Sequence, residues 1–231
     1  MDPTSVAMVE AIGATRTYKT GSVEVTALSK VDVRIEAGEF VAVMGPSGSG
    51  KTTLLNCLSG LDELTSGEVL VEGEPLSKMS DRERTRYRAR RMGFIFQAFN
   101  LIPVFSAVEN VELPLLLGGR RPKVARQRAL DALAEVGLSE RANHRPSELS
   151  AGEQQRVAIS RAIAPDPAVL WADEPTGNLD SENADKILVL LESLNRSVGL
   201  TIIMVTHDPG LGARAARLVR MRDGRLLDRE G

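Results

Sequence analysis

The segment Gly45-Pro46-Ser47-Gly48-Ser49-Gly50-Lys51-Thr52-Thr53 has the residue types needed to hold a chain of phosphates. Its glycines let successive backbone N–H groups curl round an anion, and a helix starting behind them adds the positive end of its dipole. In the spacing G-x-x-x-x-G-K-[ST], Lys51 reaches β- and γ-phosphates and the Thr52 hydroxyl ligates Mg²⁺. A second segment, Val169-Leu170-Trp171-Ala172-Asp173-Glu174, is an apolar run ending in two acids. A strand of this kind delivers both carboxylates to the carboxyl edge of a sheet, where ligands of open α/β folds bind. Asp173 is then expected to hold Mg²⁺ through water, and Glu174 to orient and polarise an attacking water. Each segment has a bland alternative: a glycine-rich turn that caps a helix for the first, and a helix cap after a strand for the second. Their pairing favours a nucleoside triphosphatase.

The elements around these residues suit that chemistry. Phe40 to Met44 is a continuous apolar run, as expected of a buried strand in a parallel sheet, and Thr52 to Leu61 reads as a helix. The phosphate loop therefore lies between strand and helix, the context it requires. Upstream, Val31, Val33 and Ile35 alternate along a strand before the turn at Ala37-Gly38-Glu39. From about Asp81 to Ala164 the character is largely helical, with Arg126 to Val136 and Ser150 to Ala164 the clearest helices. Strand character returns at Ala168 to Ala172 and at Thr201 to Val205, with a helix around Lys186 to Leu194 between them. The end of the chain reads as a hairpin, Leu218 to Leu227, turning at Asp223-Gly224. The pattern is an α/β core with a helical insertion.

Composition narrows the class. The chain has 231 residues, enough for one domain that buries roughly 70–75% of its unfolded surface. An apolar content of 42% argues against disorder, and a single cysteine, Cys57, excludes a disulfide scaffold. With 29 Lys+Arg against 31 Asp+Glu, nothing in the charge balance calls for nucleic acid as a partner. The longest apolar runs are five residues, against the ~18 needed to span a bilayer. Pro103 and Pro114 interrupt the apolar stretch Phe99 to Leu117 and remove it as a membrane span. Met1-Asp2-Pro3-Thr4 lacks the basic start of a signal peptide, so a cytoplasmic location is expected. The arginines at 82, 84, 86, 88, 90 and 91, diluted by Asp81 and Glu83, read as a solvated helix face.

Among nucleoside triphosphatases, a guanine-reading Asn-Lys-x-Asp is absent, and in place of a kinase lid there is Leu149-Ser150-Ala151-Gly152-Glu153-Gln154-Gln155-Arg156. Ser150 lies 23 residues (173 − 150) before Asp173. This resembles the L-S-G-G-Q signature of the ATP-binding subunits of ABC transporters, and the resemblance runs from Tyr18 to His207. It implies a P-loop ABC ATPase fold: α/β, with a predominantly parallel sheet, an antiparallel β subdomain and an inserted helical subdomain. On that pattern residues 1–231 form a single ABC ATPase domain, with a core of 1–92 and 166–231 and a helical signature subdomain of about 93–165.

The resemblance also implies a head-to-tail dimer with a second copy or a homologous ATPase, each ATP lying between one subunit's phosphate loop and the other's signature. Ser150 and Gly152, at the start of a predicted helix, offer a hydroxyl and backbone N–H groups to a γ-phosphate. The sequence departs from the family at Ala151 and Glu153. A carboxylate near a triphosphate repels it unless it points away, so Glu153 is expected outside the phosphate contacts. A capping box from Ser150 to Glu153 is compatible with this role. By the same resemblance, Gln97 after the strand Gly93 to Phe96 senses Mg²⁺ and the water, and His207 contacts the γ-phosphate. Asp180, in Gly177-Asn178-Leu179-Asp180, couples the two sites across the dimer, and Tyr18 stacks on adenine. A half-buried strand tyrosine is the alternative for Tyr18, and a structural histidine for His207.

The expected activity is thus ATP hydrolysis with ATP and Mg²⁺, coupled to integral membrane permease subunits on the inner face of the cell membrane. Ser106 to Pro114 and the Gly177–Asp180 segment resemble the lipoprotein-releasing and macrolide-export group, which favours export or extrusion. The region Phe99 to Leu117 is implied to line the groove where a permease's coupling helix docks. A non-transport machine such as a cell-division complex is the competing reading. DNA-repair and translation relatives fit poorly, lacking here the coiled-coil insertion or the second module. A regulatory module without turnover would need a damaged catalytic set.

Overall fold

The computed structural model describes residues 6–227; Met1 to Thr4 lie outside them. The strands are β1 (Val9–Thr20), β2 (Val23–Ile35), β3 (Phe40–Met44), β4 (Ser66–Val71), β5 (Glu74–Pro75), β6 (Met92–Phe96), β7 (Val169–Asp173), β8 (Thr201–Thr206), β9 (Arg217–Arg222) and β10 (Arg225–Leu227). The helices are α1 (Lys51–Leu58), α2 (Asp81–Arg91), α3 (Ala107–Leu117), α4 (Pro122–Glu135), α5 (Ala151–Ile163), α6 (Ser181–Val198) and α7 (Pro209–Gly212). The described residues form two compact units, one of residues 6–84 with 201–227 and one of residues 85–200.

In the first unit, β3 lies between β8 and β9, parallel to both, with β10 antiparallel at the edge. Phe40, Val41, Ala42 and Val43 are buried, as are all six residues of β8. A strand covered on both faces needs no alternation, which explains the continuous apolar runs. Each buried Phe, Val, Ile or Met among them contributes about 1.5–3 kcal/mol of burial. A separate antiparallel sheet runs β2-β1-β4-β5. Its β4 and β5 had no counterpart in the sequence reading, because Ser66–Val71 carries only a short alternation.

Helix α1 ends at Leu58, short of the expected Leu61. Gly60 adopts φ 66°, its N–H bonds to the Cys57 carbonyl, and the Leu61 N–H bonds to the Asn56 carbonyl. That pair of bonds is a Schellman stop built on a left-handed glycine. The C-terminal hairpin turns where expected, with Asp223 and Gly224 both at positive φ, as a two-residue turn matching strand twist requires.

In the second unit, β6 and β7 are parallel neighbours. Helices α3, α4 and α5 share a core of Val108, Val111, Leu115, Ala129, Leu133, Val157 and Ile159. A full capping box starts α3, with Ser106 accepting from the Glu109 N–H and the Glu109 carboxylate accepting from the Ser106 N–H at 2.7 Å. Buried Asn110 fixes the preceding loop by accepting from the Ile102 N–H at 2.7 Å and donating back to the Ile102 carbonyl at 3.2 Å. Helix α6 buries Ile187, Leu188 and Leu191 and stops at Gly199, whose φ is 65°. The α/β class, with parallel strands, a separate antiparallel sheet and intervening helices, agrees with the sequence expectation. No helix among the described residues is long and apolar enough to cross a membrane. No residue of α2 is buried; Arg82, Arg86, Arg90 and Arg91 are exposed, whereas Arg84 and Arg88 are half-buried, Arg84 pairing with Glu63 and Asp81.

Candidate active site

The first unit carries the phosphate loop. Gly45 to Gly50 leave the carboxyl end of β3 and feed α1, whose N-cap is Gly50 at φ 99°. A side chain at Gly50 would meet the Ala27 carbonyl at 2.4 Å, and one at Gly45 would meet the Met221 carbonyl at 2.1 Å. Gly50 therefore demands glycine for conformation and for space together, and Gly45 for space alone. Among the described residues, the N–H groups of Gly48 and Gly50 donate to no protein acceptor, which leaves them available to an anion. Ser49 is buried while Pro46, Ser47 and Gly48 are exposed at the tip. Lys51 folds its ammonium onto the loop, donating to the Gly45 carbonyl at 2.9 Å and the Pro46 carbonyl at 3.0 Å. Thr52 is exposed at the start of α1 and Thr53 half-buried beside it.

A neighbour outside the motif supports this loop. The Gly224 N–H donates to the Ser49 carbonyl at 3.0 Å, and the Gly224 carbonyl accepts from the Ser29 N–H at 2.8 Å. The hairpin turn is thus a brace between β2 and the phosphate loop. Asp223-Gly224 was legible as a turn, but its location beside the loop was not.

Parallel pairing sets Met44 opposite Thr206, so Gly45 and His207 leave the same edge of adjacent strands. His207 is exposed there, and Asp208 immediately caps α7 by accepting from the Gly210 N–H at 2.7 Å. Tyr18 lies on β1, 36% exposed, with its hydroxyl donating to Asp62 at 2.5 Å. The Arg16 guanidinium sits 4.5 Å from the centre of its ring and pairs with Asp62 at 2.7 Å. The cation and the hydroxyl bond hold the ring in place as a partly exposed platform.

The second unit carries the carboxylates. Phe96 pairs with Asp173 in parallel register, so Gln97 and Glu174 also leave one edge together. Glu174 is at φ 48°, a left-handed conformation that costs a non-glycine residue roughly 1–2 kcal/mol. Its surroundings impose it: the Glu174 carbonyl accepts from the Gly177 N–H at 3.0 Å, and the Pro175 carbonyl accepts from the fully buried Gln155 side chain at 2.5 Å. Strain of this kind persists only where the surrounding structure holds it in place, as these two bonds do.

Gln97 is exposed at the end of β6 and lies against Gly177, where an added Cβ would approach its amide to 2.8 Å. Asp180 caps α6, accepting from the Asn183 N–H and side-chain amide, each at 2.8 Å. Those bonds lower its pKa from the ordinary aspartate value, the backbone bond first. Asn183 in turn fills the space beside Gly152, 2.8 Å from where a Cβ would stand. Gly152 is buried and Ser150 exposed at the N-cap of α5. The Glu153 carboxylate accepts from the Ser150 N–H at 2.8 Å and pairs with Arg141 at 3.2 Å. These contacts lower its pKa, the backbone bond to Ser150 being the largest cause. The two signature departures are absorbed locally: Glu153 is spent on the capping box, and Ala151 takes an ordinary helical place.

A family model described as ABC transporter matches residues 28–177, more than half of the chain. The chain belongs to the ABC transporter family. It is similar to the ATP-binding cassette MJ0796 in a dimeric post-hydrolysis state bound to ADP and Pi, with 44% identity over 95% of this chain and 96% of that one, at a TM-score of 0.88. A second dimeric structure of MJ0796, described as a bacterial ABC transporter cassette, matches with the same figures. CbiO1 from Clostridium perfringens, part of the ABC transporter complex cbiONQ, is 26% identical over 96% of this chain and 88% of that one, with a TM-score of 0.84. As an ABC cassette the chain binds ATP and hydrolyses it.

Proposed function

We propose that this ABC cassette powers export or extrusion through separate transmembrane subunits, working as a head-to-tail dimer at the cytoplasmic face of the membrane. The observation that carries the catalytic part is the register of β6 on β7, from which Gln97 and Glu174 emerge side by side, with Glu174 in a left-handed conformation. The dimer is supported by the exposed Ser150 at the head of α5 and by the dimeric MJ0796 cassettes. Membrane partners are supported by the place of CbiO1 in a transporter complex, and the export direction by the Ser106–Pro114 and Gly177–Asp180 segments.

In this reading the Gly48 and Gly50 N–H groups and the Lys51 ammonium hold the β- and γ-phosphates, and Tyr18 stacks on adenine. The hydroxyl of Ser150 and the N–H of Gly152 in the second copy close over the γ-phosphate. Glu174 orients a water, takes its proton as the oxygen attacks the γ-phosphorus, and the bond to the bridging oxygen breaks. His207 contacts the γ-phosphate and Asp180 links the paired sites. Thr52, Gln97 and Asp173 supply a hydroxyl, an amide oxygen and a carboxylate, the hard oxygen donors that Mg²⁺ prefers. When bound, Mg²⁺ supplies neutralisation of phosphate charge.

Glu174→Gln tests the reading. The variant should bind ATP, form a stable closed dimer and lose turnover; undiminished hydrolysis would overturn the assignment. Purification with the native membrane partner tests direction, and recovery of a solute importer with a binding protein would reverse it.

A further inference from the structure

Immediately after Gln97 the chain makes an unusual turn. Phe99 and Asn100 follow one another at φ 58° and 51°, both left-handed. Asparagine tolerates that region, but a bulky aromatic residue rarely occupies it. Within the turn, the Phe99 N–H bonds to the Phe96 carbonyl at 3.1 Å and the Asn100 N–H to the Ala98 carbonyl at 2.6 Å. The carbonyls of Phe99 and Asn100 are held from outside. Arg161, near the C-terminal end of α5, donates one guanidinium nitrogen to the Phe99 carbonyl at 2.7 Å and the other to the Asn100 carbonyl at 2.5 Å.

Arg161 is committed to this contact. No carboxylate among the described residues pairs with it, and burial lowers its pKa. A planar fork with two parallel N–H groups suits two adjacent carbonyls, whereas an ammonium offers a single point of charge. The next residue on α5, Ala162, packs against β6 so closely that a Cβ at Gly93 would stand 2.5 Å from its carbonyl oxygen. Neighbouring positions of α5 thus anchor both ends of the Gln97 strand: Ala162 at its start and Arg161 at the turn beyond it. The opposite end of the same helix carries Ser150 and Gly152.

We propose that Arg161 is a positioning residue for hydrolysis: its clamp on the Phe99 and Asn100 carbonyls sets the place of Gln97 and ties that place to the signature helix. The proposal rests on the role of Gln97 given above and adds the element that fixes it. Arg161 touches no nucleotide; it acts through the turn.

The test compares steady-state hydrolysis by the full chain carrying Arg161→Lys, Gln97→Ala, both together, and Arg161→Lys with Asn100→Gly. Arg161→Lys should lower kcat about tenfold with KM for ATP within about twofold, the pattern of a displaced group. The double variant should be no slower than Gln97→Ala, because both changes remove one function. Asn100→Gly, which lowers the smaller remaining cost of the left-handed region at that position, should restore part of the lost kcat to Arg161→Lys. Full kcat in Arg161→Lys, losses that multiply in the double variant, or no rescue by Asn100→Gly would overturn the clamp. Failure of Arg161→Lys to fold in both backgrounds would also overturn it, since the arginine would then be scaffold alone. Full activity in Gln97→Ala would instead remove the reading of Gln97 on which the clamp depends.

Discussion

The side-chain amide of Asn178 donates to the main-chain carbonyl of Gln97 at 2.8 Å. The bond spans 81 residues of sequence and joins the segment before Asp180 to the end of β6. With Gly177 packed against the Gln97 amide, it makes the two loops one body. Asn178→Ala removes the donor and leaves a carbonyl that water can reach, at a cost of about 0.5–1.5 kcal/mol. The expected result is a two- to tenfold fall in kcat with little change in KM for ATP, read by steady-state kinetics.

Gly224→Ala probes the brace behind the phosphate loop. Gly224 is at φ 75°, and a Cβ would meet the Ala27 carbonyl at 2.8 Å, so the turn must shift and release the Ser49 carbonyl. The variant should lose about 1–3 kcal/mol of stability and bind ATP more weakly, although residue 224 contacts no phosphate in the proposed site. Nucleotide titration followed by fluorescence, beside thermal unfolding, separates the two effects.

Lys51→Ala removes the ammonium that now bridges the Gly45 and Pro46 carbonyls. A charged hydrogen bond to phosphate is worth about 1.5–3 kcal/mol, so ATP affinity should fall by about 10- to 150-fold. Fold stability should change less than affinity, because the ammonium's two bonds are both to carbonyls of the loop itself and the Pro46 carbonyl belongs to an exposed residue that water can reach. Equilibrium binding and melting curves on the same preparation check both halves.

Glu153→Gln gives the pH prediction. The folded-state pKa of Glu153 is lowered, so its ionised form contributes stability above its unfolded value of 4.5 and loses it as pH falls through the lower folded value. Glutamine keeps a carbonyl for the Ser150 N–H but loses the charge facing Arg141. The variant should be less stable than the wild type at pH 7, by about 1 kcal/mol, as a partly solvated pair allows. The gap should narrow below pH 4.5, as followed by chemical denaturation at a series of pH values.

Buried Cys57 offers a simple check of the core around α1. Burial pushes its thiol pKa up to about 12, with the nearby Asp62 charge adding to the shift. The native protein should resist thiol reagents at pH 8, and labelling should appear only on unfolding.

Much of this is legible in the amino-acid sequence. Gly45 to Thr52 carries its meaning in residue type and spacing, because backbone curvature, a reaching amine and a hydroxyl are local properties. The Ser150 to Glu153 capping box is equally local, spanning one helical turn, and so was readable from four letters. The apolar pattern of α1 continues to Leu61, three residues past its end at Leu58, because the left-handed Gly60 stops the helix.

What the sequence by itself determined, then, is the list of chemically competent groups and the strands and helices that carry each one. Only tertiary structure decided which of them meet. The parallel registers that bring Gly45 to the level of His207, and Gln97 to the level of Glu174, are relations between strands far apart in the chain. The contacts of Arg161, Asn178, Gln155 and Gly224 are to main-chain atoms, which every residue shares. A carbonyl oxygen leaves no mark in the choice of its own side chain, so a partner that reads the backbone becomes visible only when the chain is folded.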